Sequence, residues 1–592
     1  MPVKEPHLVE LFPAQRNIRI LQERAEFTEN MLREHDAAIL VCEREHAETL
    51  LEKLPLGSTW HPLYHQAKAA GPVGILVTSL TIEGAASTRG RAARSPGRAR
   101  TGGQIPEQTP EQARVLPLVL AFAKAEAPAF ERLSLAARAW KALAVPSGAR
   151  VVLSTRGLST ASAAGMLEAL LAAALAGSAP MPSWKSQPRR TSTPSRLTLA
   201  GTAAETVDAT LCNAIDRGNH LARWLTMLPP NVLDSASYPR ALRQLARQHG
   251  WQYSFLGETA LKELGAGAFL AVSRANRHRR AGIVRLHYRG TGKRAAAPRR
   301  NEGAATIGAL RHLALVGKGI CFDTGGINLK THKGMYRMHE DMQGSAVAVG
   351  TLLALSELKV PYDIDCWLAV TENEIGAHAF RPQEIVHAAN GTSIQVVHSD
   401  AEGRMVLADT LALAAGGASR RGRGGMSSAK QPDLLIDFAT LTGACVGALT
   451  ERYSGAFTNR PDWNTLLERH GRDCGERVWP FPMDEDFDAD LESPVADVLQ
   501  CAVDSKGDHI LAARFLNRFV PVDVPWIHLD LAAGNRSGGL GHIPTDSTGF
   551  GVRYTTTLLM ERSLWPQRGE TAHTPTRRAR SATDDARVGA NT

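Results

Sequence analysis

Short runs of Val, Ile, Leu and Trp recur along the chain, each closing on a glycine, an asparagine or an acidic residue. The clearest are RHLALVGKG (311–319), DIDCWLAVTENE (363–374), PDLLIDFATLTG (432–443) and WIHLDLAAG (526–534). Unbroken apolar runs of this length predict strands buried on both faces. Between them lie helical patterns, QGSAVAVGTLLALSELK (343–359) and MVLADTLALAAGG (405–417), the second closed by a glycine pair suited to a C-cap. Strands alternating with helices predict an α/β fold: a doubly wound, mostly parallel sheet flanked by helices. In such sheets functional residues gather beyond the C-terminal ends of the strands.

Upstream, AAILVC (37–42) and VGILVTSL (73–80) read as strands and AGMLEALLAAALAG (164–177) as a helix. They predict a smaller N-terminal α/β domain over 1–184, with a low-complexity insert near 87–114. The polar stretch KSQPRRTSTPSR opens a linker over 185–204, and a larger C-terminal domain follows over 205–565. Inserts near 289–305 and 416–433 interrupt it, and 566–592 reads as a disordered tail.

The 592 residues carry a net charge of +9, which raises a nucleic-acid reading. The three Arg-rich inserts hold that surplus, however, and leave the rest of the chain near neutral. Solvated basic loops are therefore favoured over a polyanion-binding face. The seven cysteines are scattered, without a C-x-x-C pair, against a disulfide framework or a thiolate zinc site. No window approaches ~18 consecutive apolar residues, and the N-terminus lacks a basic-then-apolar leader. A cytoplasmic protein with no membrane attachment is the expectation.

The candidate chemistry lies in three segments. In LVGKGICFDTGGINLK (315–330) a strand is expected to end at Val316 and enter a Gly-rich turn carrying Lys318, Asp323 and Lys330. Glycines 317, 319, 325 and 326 are expected to supply positive-φ turns. GMYRMHEDMQG places Asp341 at the entry to a helix. HSDAEGRM gives Asp400, Glu402 and Arg404 at alternate positions, which in an extended segment face one side. Four carboxylates converging at strand ends repel unless cations neutralise them. Two divalent metals ~3.5–4 Å apart are the usual arrangement in hydrolases. Oxygen-rich ligation suits zinc, manganese or magnesium, and Lys318 joins only as a neutral amine. His332, His339 and His398 read as bystanders rather than ligands.

GKGICFDTGGINLK, GMYRMHEDMQGSA, SDAEGRMVLADTL and FATLTGACVGAL resemble the signature segments of the leucyl (cytosol) aminopeptidase family of di-zinc exopeptidases. LPPNVL, TENEIGAHAFRPQEIV, WIHLDLAAG and TGFGV add to the likeness, which covers roughly 205–560. The resemblance implies a metallo-aminopeptidase holding two divalent ions, zinc or manganese. Asp323 and Glu402 would bridge them, Lys318 and Asp341 would complete one site, and Asp400 the other. Lys330 would face the scissile carbonyl, and Arg404 would hold a bicarbonate or a water network acting as general base. Met338, Thr440, Leu441 and Gly443 fall where that family builds its substrate pocket. It further implies peptide substrates with a free N-terminus and a homo-hexamer.

Two departures stand out. His398-Ser399 replaces the family's usual Asn-Thr, which brings His398 beside the substrate, and LPPN replaces N-x-P-x-N. The contrasting reading is an oligomeric scaffold or DNA-binding protein with vestigial or secondary peptidase activity. Retention of every ligand argues against that as the sole role.

Overall fold

Two sheets organise the protein, a computed structural model that describes residues 11–54, 57–69, 74–82, 114–187, 191–291, 312–416, 430–504 and 506–560. The Arg-rich stretch 87–112, most of the inserts near 289–305 and 416–433, and the tail from 566 lie outside the described residues.

The first sheet holds β1 (Arg19–Glu23), β2 (Ala37–Glu43), β3 (Ile75–Ile82), β4 (Arg114–Ala123), β5 (Arg150–Arg156) and β6 (Arg196–Ala200), in the order β1-β6-β5-β2-β4-β3. All neighbours are parallel except β3, which runs antiparallel to β4 at the edge. β6 falls within 185–204, expected as linker. It pairs on both sides, and Leu197 to Ala200 are buried, so apolar burial draws those residues into the sheet.

Helix Thr160–Gly177 has a mean hydropathy of 1.4 over 18 residues, long and apolar enough to cross a membrane. The run is not unbroken, because Thr160, Ser162 and Glu168 interrupt it. In the fold the helix is a core element. Leu167, Leu170, Leu171 and Leu175 are buried with the first sheet's residues, and Glu168 pairs with Arg553 of the other unit.

The remaining strands are β7 (Gln252–Gly257), β8 (Gly282–Tyr288), β9 (His312–Asp323), β10 (Asp363–Asn373), β11 (Ile385–His387), β12 (Ser393–Gln395), β13 (Leu434–Ala439), β14 (Ser454–Thr458), β15 (Val478–Pro480), β16 (Val498–Leu499) and β17 (Trp526–Asp530). Eight form the sheet β15-β14-β17-β13-β9-β10-β8-β7, and β11-β12-β16 form a small third sheet. The central strands β17, β13, β9 and β10 are mutually parallel, with β14 and β8 antiparallel beside them.

Side-chain alternation splits the core of the large sheet. Leu313, Leu315, Ile436 and Phe438 pack with helices Ala209–Thr226 and Gln343–Glu357. Ala314, Val316, Leu435 and Ala439 pack with Glu402–Ala414 and Asp508–Asn517 on the opposite face. Both faces are thus covered, as a doubly wound sheet requires.

One expectation fails here. β9 does not end at Val316 but continues to Asp323, so Lys318 sits inside a buried strand. Gly317 and Gly319 serve close packing rather than a turn. A Cβ on Gly317 would lie 2.5 Å from Ser345 Cα, and one on Gly319 2.7 Å from the Ala369 carbonyl oxygen. The turn is made by Gly325 and Gly326, at φ +84° and +64°.

The helix Gln343–Glu357 approaches equally closely: a Cβ on Gly344 would stand 2.1 Å from the Phe438 carbonyl oxygen and 2.9 Å from Lys318 N. Backbone cannot yield as a side chain does. Gly344→Ala is expected to cost at least ~1–3 kcal/mol, read as a lower unfolding midpoint. A midpoint equal to that of the unsubstituted protein would contradict this packing.

Candidate metal centre

Asp323 is the last residue of β9 and Asn373 the last of β10. The Ser399-Asp400 turn delivers Glu402 as the first residue of helix Glu402–Ala414. Asp400 and Glu402 therefore converge through a turn-to-helix step, not through the strand-like alternation expected from their spacing. Hydrogen bonds shape the turn: Asp400 N donates to His398 Nδ1 at 3.2 Å, and Val397 N and His398 N both donate to Gln500 Oε1 at 3.0 Å.

Carboxylate oxygens of Asp323, Asp400 and Glu402 lie within 4.8 Å of one another. Two lysines brace them. Lys318 Nζ is 2.7 Å from Asp341 Oδ1, 3.0 Å from Glu402 Oε1 and 3.0 Å from the Thr440 carbonyl. Lys330 Nζ is 2.8 Å from Asp323 Oδ2 and 2.6 Å from Asp400 Oδ1. Thr440 Oγ1 donates to Asp341 Oδ1 at 2.7 Å. Asn373 Nδ2 donates to Asp323 Oδ1 at 2.8 Å and to the Ser399 carbonyl at 3.0 Å. A Cβ on Gly403 would meet Lys318 Cε at 2.7 Å and Leu441 Cδ1 at 3.0 Å. Glycine there admits both side chains.

The electrostatics show what the cluster lacks. Burial, and then the charge on Asp323, push Glu402 up to about 8. Burial lifts Asp341 to about 6 against the pull of Lys318, and burial with Asp323 raises Asp400. Burial works to lower both lysines, yet Asp341 and Glu402 around Lys318, and Asp323 and Glu402 around Lys330, hold them above the ordinary value. Four carboxylates against two ammonium groups leave an excess of negative charge in a water-poor site. Asp341 Oδ2 is buried without a hydrogen-bond partner. An oxygen-rich, anionic set with an unsatisfied carboxylate oxygen fits divalent cations.

The other predicted residues distribute unevenly. Thr440 touches Asp341, and Leu441 lies over Gly403. Met338 is half-buried and opens the turn Met338–Glu340 just before Asp341. Gly443 is exposed at the start of helix Gly443–Leu449. His398 is exposed and spends Nδ1 on its own turn. None of His332, His339 and His398 joins the carboxylate cluster.

Arg404 is buried in the first turn of the helix that Glu402 opens. Its Nη2 donates to both oxygens of Asp508 at 2.8 Å, and its Nη1 to the Gln500 carbonyl at 3.3 Å.

Sequence reasoning passed over several residues that shape the site. Asn373 and Asp530 are polar ends of strands it did recognise, and the strand-end rule could have flagged them. Asp530 holds the 440–443 loop, accepting from Thr442 Oγ1 at 2.7 Å and Leu441 N at 3.2 Å. Gln500 and Asp508 come from a stretch without pattern and carried no signal.

Residues 220–556 match the cytosol aminopeptidase family, catalytic domain. The chain belongs to that family. The match contains all seven residues from Lys318 to Arg404 proposed for chemistry, while the first sheet lies outside it. Among relatives, the probable cytosol aminopeptidase of Stutzerimonas stutzeri is 38% identical over 352 residues, 59% of this chain and 64% of that protein. The probable cytosol aminopeptidase of Sulfurihydrogenibium sp. is 32% identical over 345 residues, 58% of this chain and 62% of that one. The chain thus matches somewhat under two thirds of these relatives' length.

Among solved structures, the bottromycin maturation enzyme BotP in complex with Mn aligns with a TM-score of 0.67 and 26% identity, over 90% of this chain and 100% of that one. Leucyl aminopeptidase from Trypanosoma brucei in complex with actinonin shares the fold, with a TM-score of 0.70 and 20% identity over 94% and 97% of the two chains.

Proposed function

We propose that the protein is a metal-dependent aminopeptidase that hydrolyses the N-terminal peptide bond of peptides. The observation that carries this reading is the cluster of buried Asp323 and Glu402 with half-buried Asp400, their oxygens within 4.8 Å and braced by Lys318 and Lys330, in a chain of the cytosol aminopeptidase family. Asp323, Asp341, Asp400 and Glu402, with Lys318 as the neutral amine, would hold two divalent ions, zinc or manganese. When bound, such ions neutralise the carboxylates, activate an attacking water and polarise the scissile carbonyl.

The remaining work falls to the chain itself. Asn373 and the Gly325 N–H each donate to Asp323 Oδ1 at 2.8 Å and fix its carboxylate plane. Lys330, with 16% of its side chain exposed, presents an ammonium where a substrate oxygen gains charge. Met338, Thr440, Leu441 and Gly443 are the candidates to receive the first side chain, with His398 at the rim. Cytoplasmic location and a homo-hexamer are part of the proposal and rest on the family resemblance.

The test is peptide cleavage after chelation and reloading. Metal-stripped protein is expected to be inactive. Zinc or manganese should restore release of the first residue from free-amine peptides and leave N-acetylated ones intact. Release of no amino acid across a broad peptide panel sinks the reading. Native mass should be six times 63.8 kDa.

A further inference from the structure

We propose that Asp508 is the built-in counter-anion of Arg404, a positioning residue standing where the family resemblance expects a bound bicarbonate; this rests on the aminopeptidase reading. Arg404 lies two residues after Glu402, in the first turn of helix Glu402–Ala414, and is 2% exposed. A buried guanidinium needs a paired anion. Asp508 supplies it, taking Nη2 on both carboxylate oxygens at 2.8 Å. Nη1 is given to the Gln500 carbonyl, and Nε is buried without an acceptor.

A bicarbonate held at two points by Arg404 would also need Nη2, the nitrogen that both Asp508 oxygens already take. Bicarbonate and Asp508 therefore compete for Nη2, and the carboxylate carried by the chain itself holds it.

The placement of Asp508 is well supported. It opens the ten-residue helix Asp508–Asn517 directly after Gly507 at φ +61°, where a carboxylate is favoured by the exposed backbone N–H groups. Gln500, eight residues earlier, grips the metal-centre turn from the same side. Its Oε1 accepts from Val397 N and His398 N, and its Nε2 donates to the Ala401 carbonyl, all at 3.0 Å. Gln500 thus holds residues on both sides of Asp400, and Gln500 and Asp508 together hold Arg404. About a quarter of the Asp508 side chain (23%) stays exposed, so a small anion can reach its place once it is removed.

The experiment compares metal-loaded wild type, Asp508→Ala and Asp508→Glu in bicarbonate-free buffer, then with bicarbonate, formate or acetate added. Wild-type turnover is expected to be indifferent to all three. Asp508→Ala should lose roughly 10–100-fold, the scale for removing a partner of a centre's supporting groups. It should recover in kcat rather than KM when a small carboxylate or bicarbonate is added, and its melting temperature, lowered by the unpaired buried guanidinium, should rise with the same additive. Asp508→Glu should need no additive. A second readout is independent of turnover: line broadening of carbon-13 bicarbonate is expected with Asp508→Ala and absent with wild type. Broadening with wild type, stimulation of wild type by bicarbonate, or full activity of Asp508→Ala each overturns the proposal. If wild type cleaves no peptide, the aminopeptidase reading fails, while the bicarbonate signal still decides the role of Asp508.

Discussion

Glu402→Gln is expected to strip metal from the protein and remove peptidase activity, while leaving the fold intact. Glu402 is fully enclosed and opens the helix that presents Arg404, and its carboxylate meets both Lys318 and the Asp323–Asp400 pair. An amide keeps the shape but contributes no charge to hold a dication. The loss of affinity should exceed the ~10–100-fold that follows removal of a partner lying behind a ligand, and elemental analysis should find fewer ions per chain.

The same substitution makes an opposite prediction for the metal-free protein. With its folded value near 8 against an ordinary 4.5, Glu402 contributes stability present below the ordinary value and lost as pH rises toward 8. Metal-free Glu402→Gln should therefore melt at or above metal-free wild type at alkaline pH. A variant that retained both metal and turnover would remove Glu402 from the centre.

Lys330→Met carries the second large effect, and of a different kind. Lys330 lies beside Asp323 and Asp400, yet its Nζ reaches neither Glu402 nor Asp341 within ion-pair distance. It is also the more exposed lysine, at 16% against 3% for Lys318. Its proposed task is to place positive charge on the oxygen that becomes anionic during attack. Removing one such donor costs roughly 10²–10³ in kcat. Metal content should be unchanged or tighter, because a cation that competes for the same carboxylates has gone. KM should move little, since the interaction belongs to the transition state. Loss of metal from Lys330→Met would instead show the lysine to be structural. Together the two variants separate holding the ions from using them.

The strand-end position of the chemistry is readable in the sequence, because buried parallel strands are written as unbroken apolar runs and their ends as abrupt polarity. The family segments made the acidic residues stand out further. Lys318 was harder to place. A charged residue between glycines reads locally as a turn, and only the packed fold, with the helix close on Gly317 and the Ala369 carbonyl close on Gly319, shows why a buried strand needs glycine on either side of a lysine. The Asp400–Glu402 pair was identified, yet alternation was the wrong reason for its convergence, since helix Glu402–Ala414 begins inside the motif. β6 escaped because five residues in a polar neighbourhood carry little pattern until two partner strands bury them.

Residue type and local order were thus legible in the chain wherever they depend on neighbours near in sequence: strand, helix start, acidic cluster, family. Partnership across long separations was not. Asp508 reaches Arg404 over 104 residues, Asn373 reaches Asp323 over 50, and Thr440 reaches Asp341 over 99. Such contacts are set by the way the sheet stacks its strand ends and helices, which no local periodicity encodes. For that reason the carboxylates could be named from sequence, whereas the anion that occupies Arg404 emerged only from the folded chain.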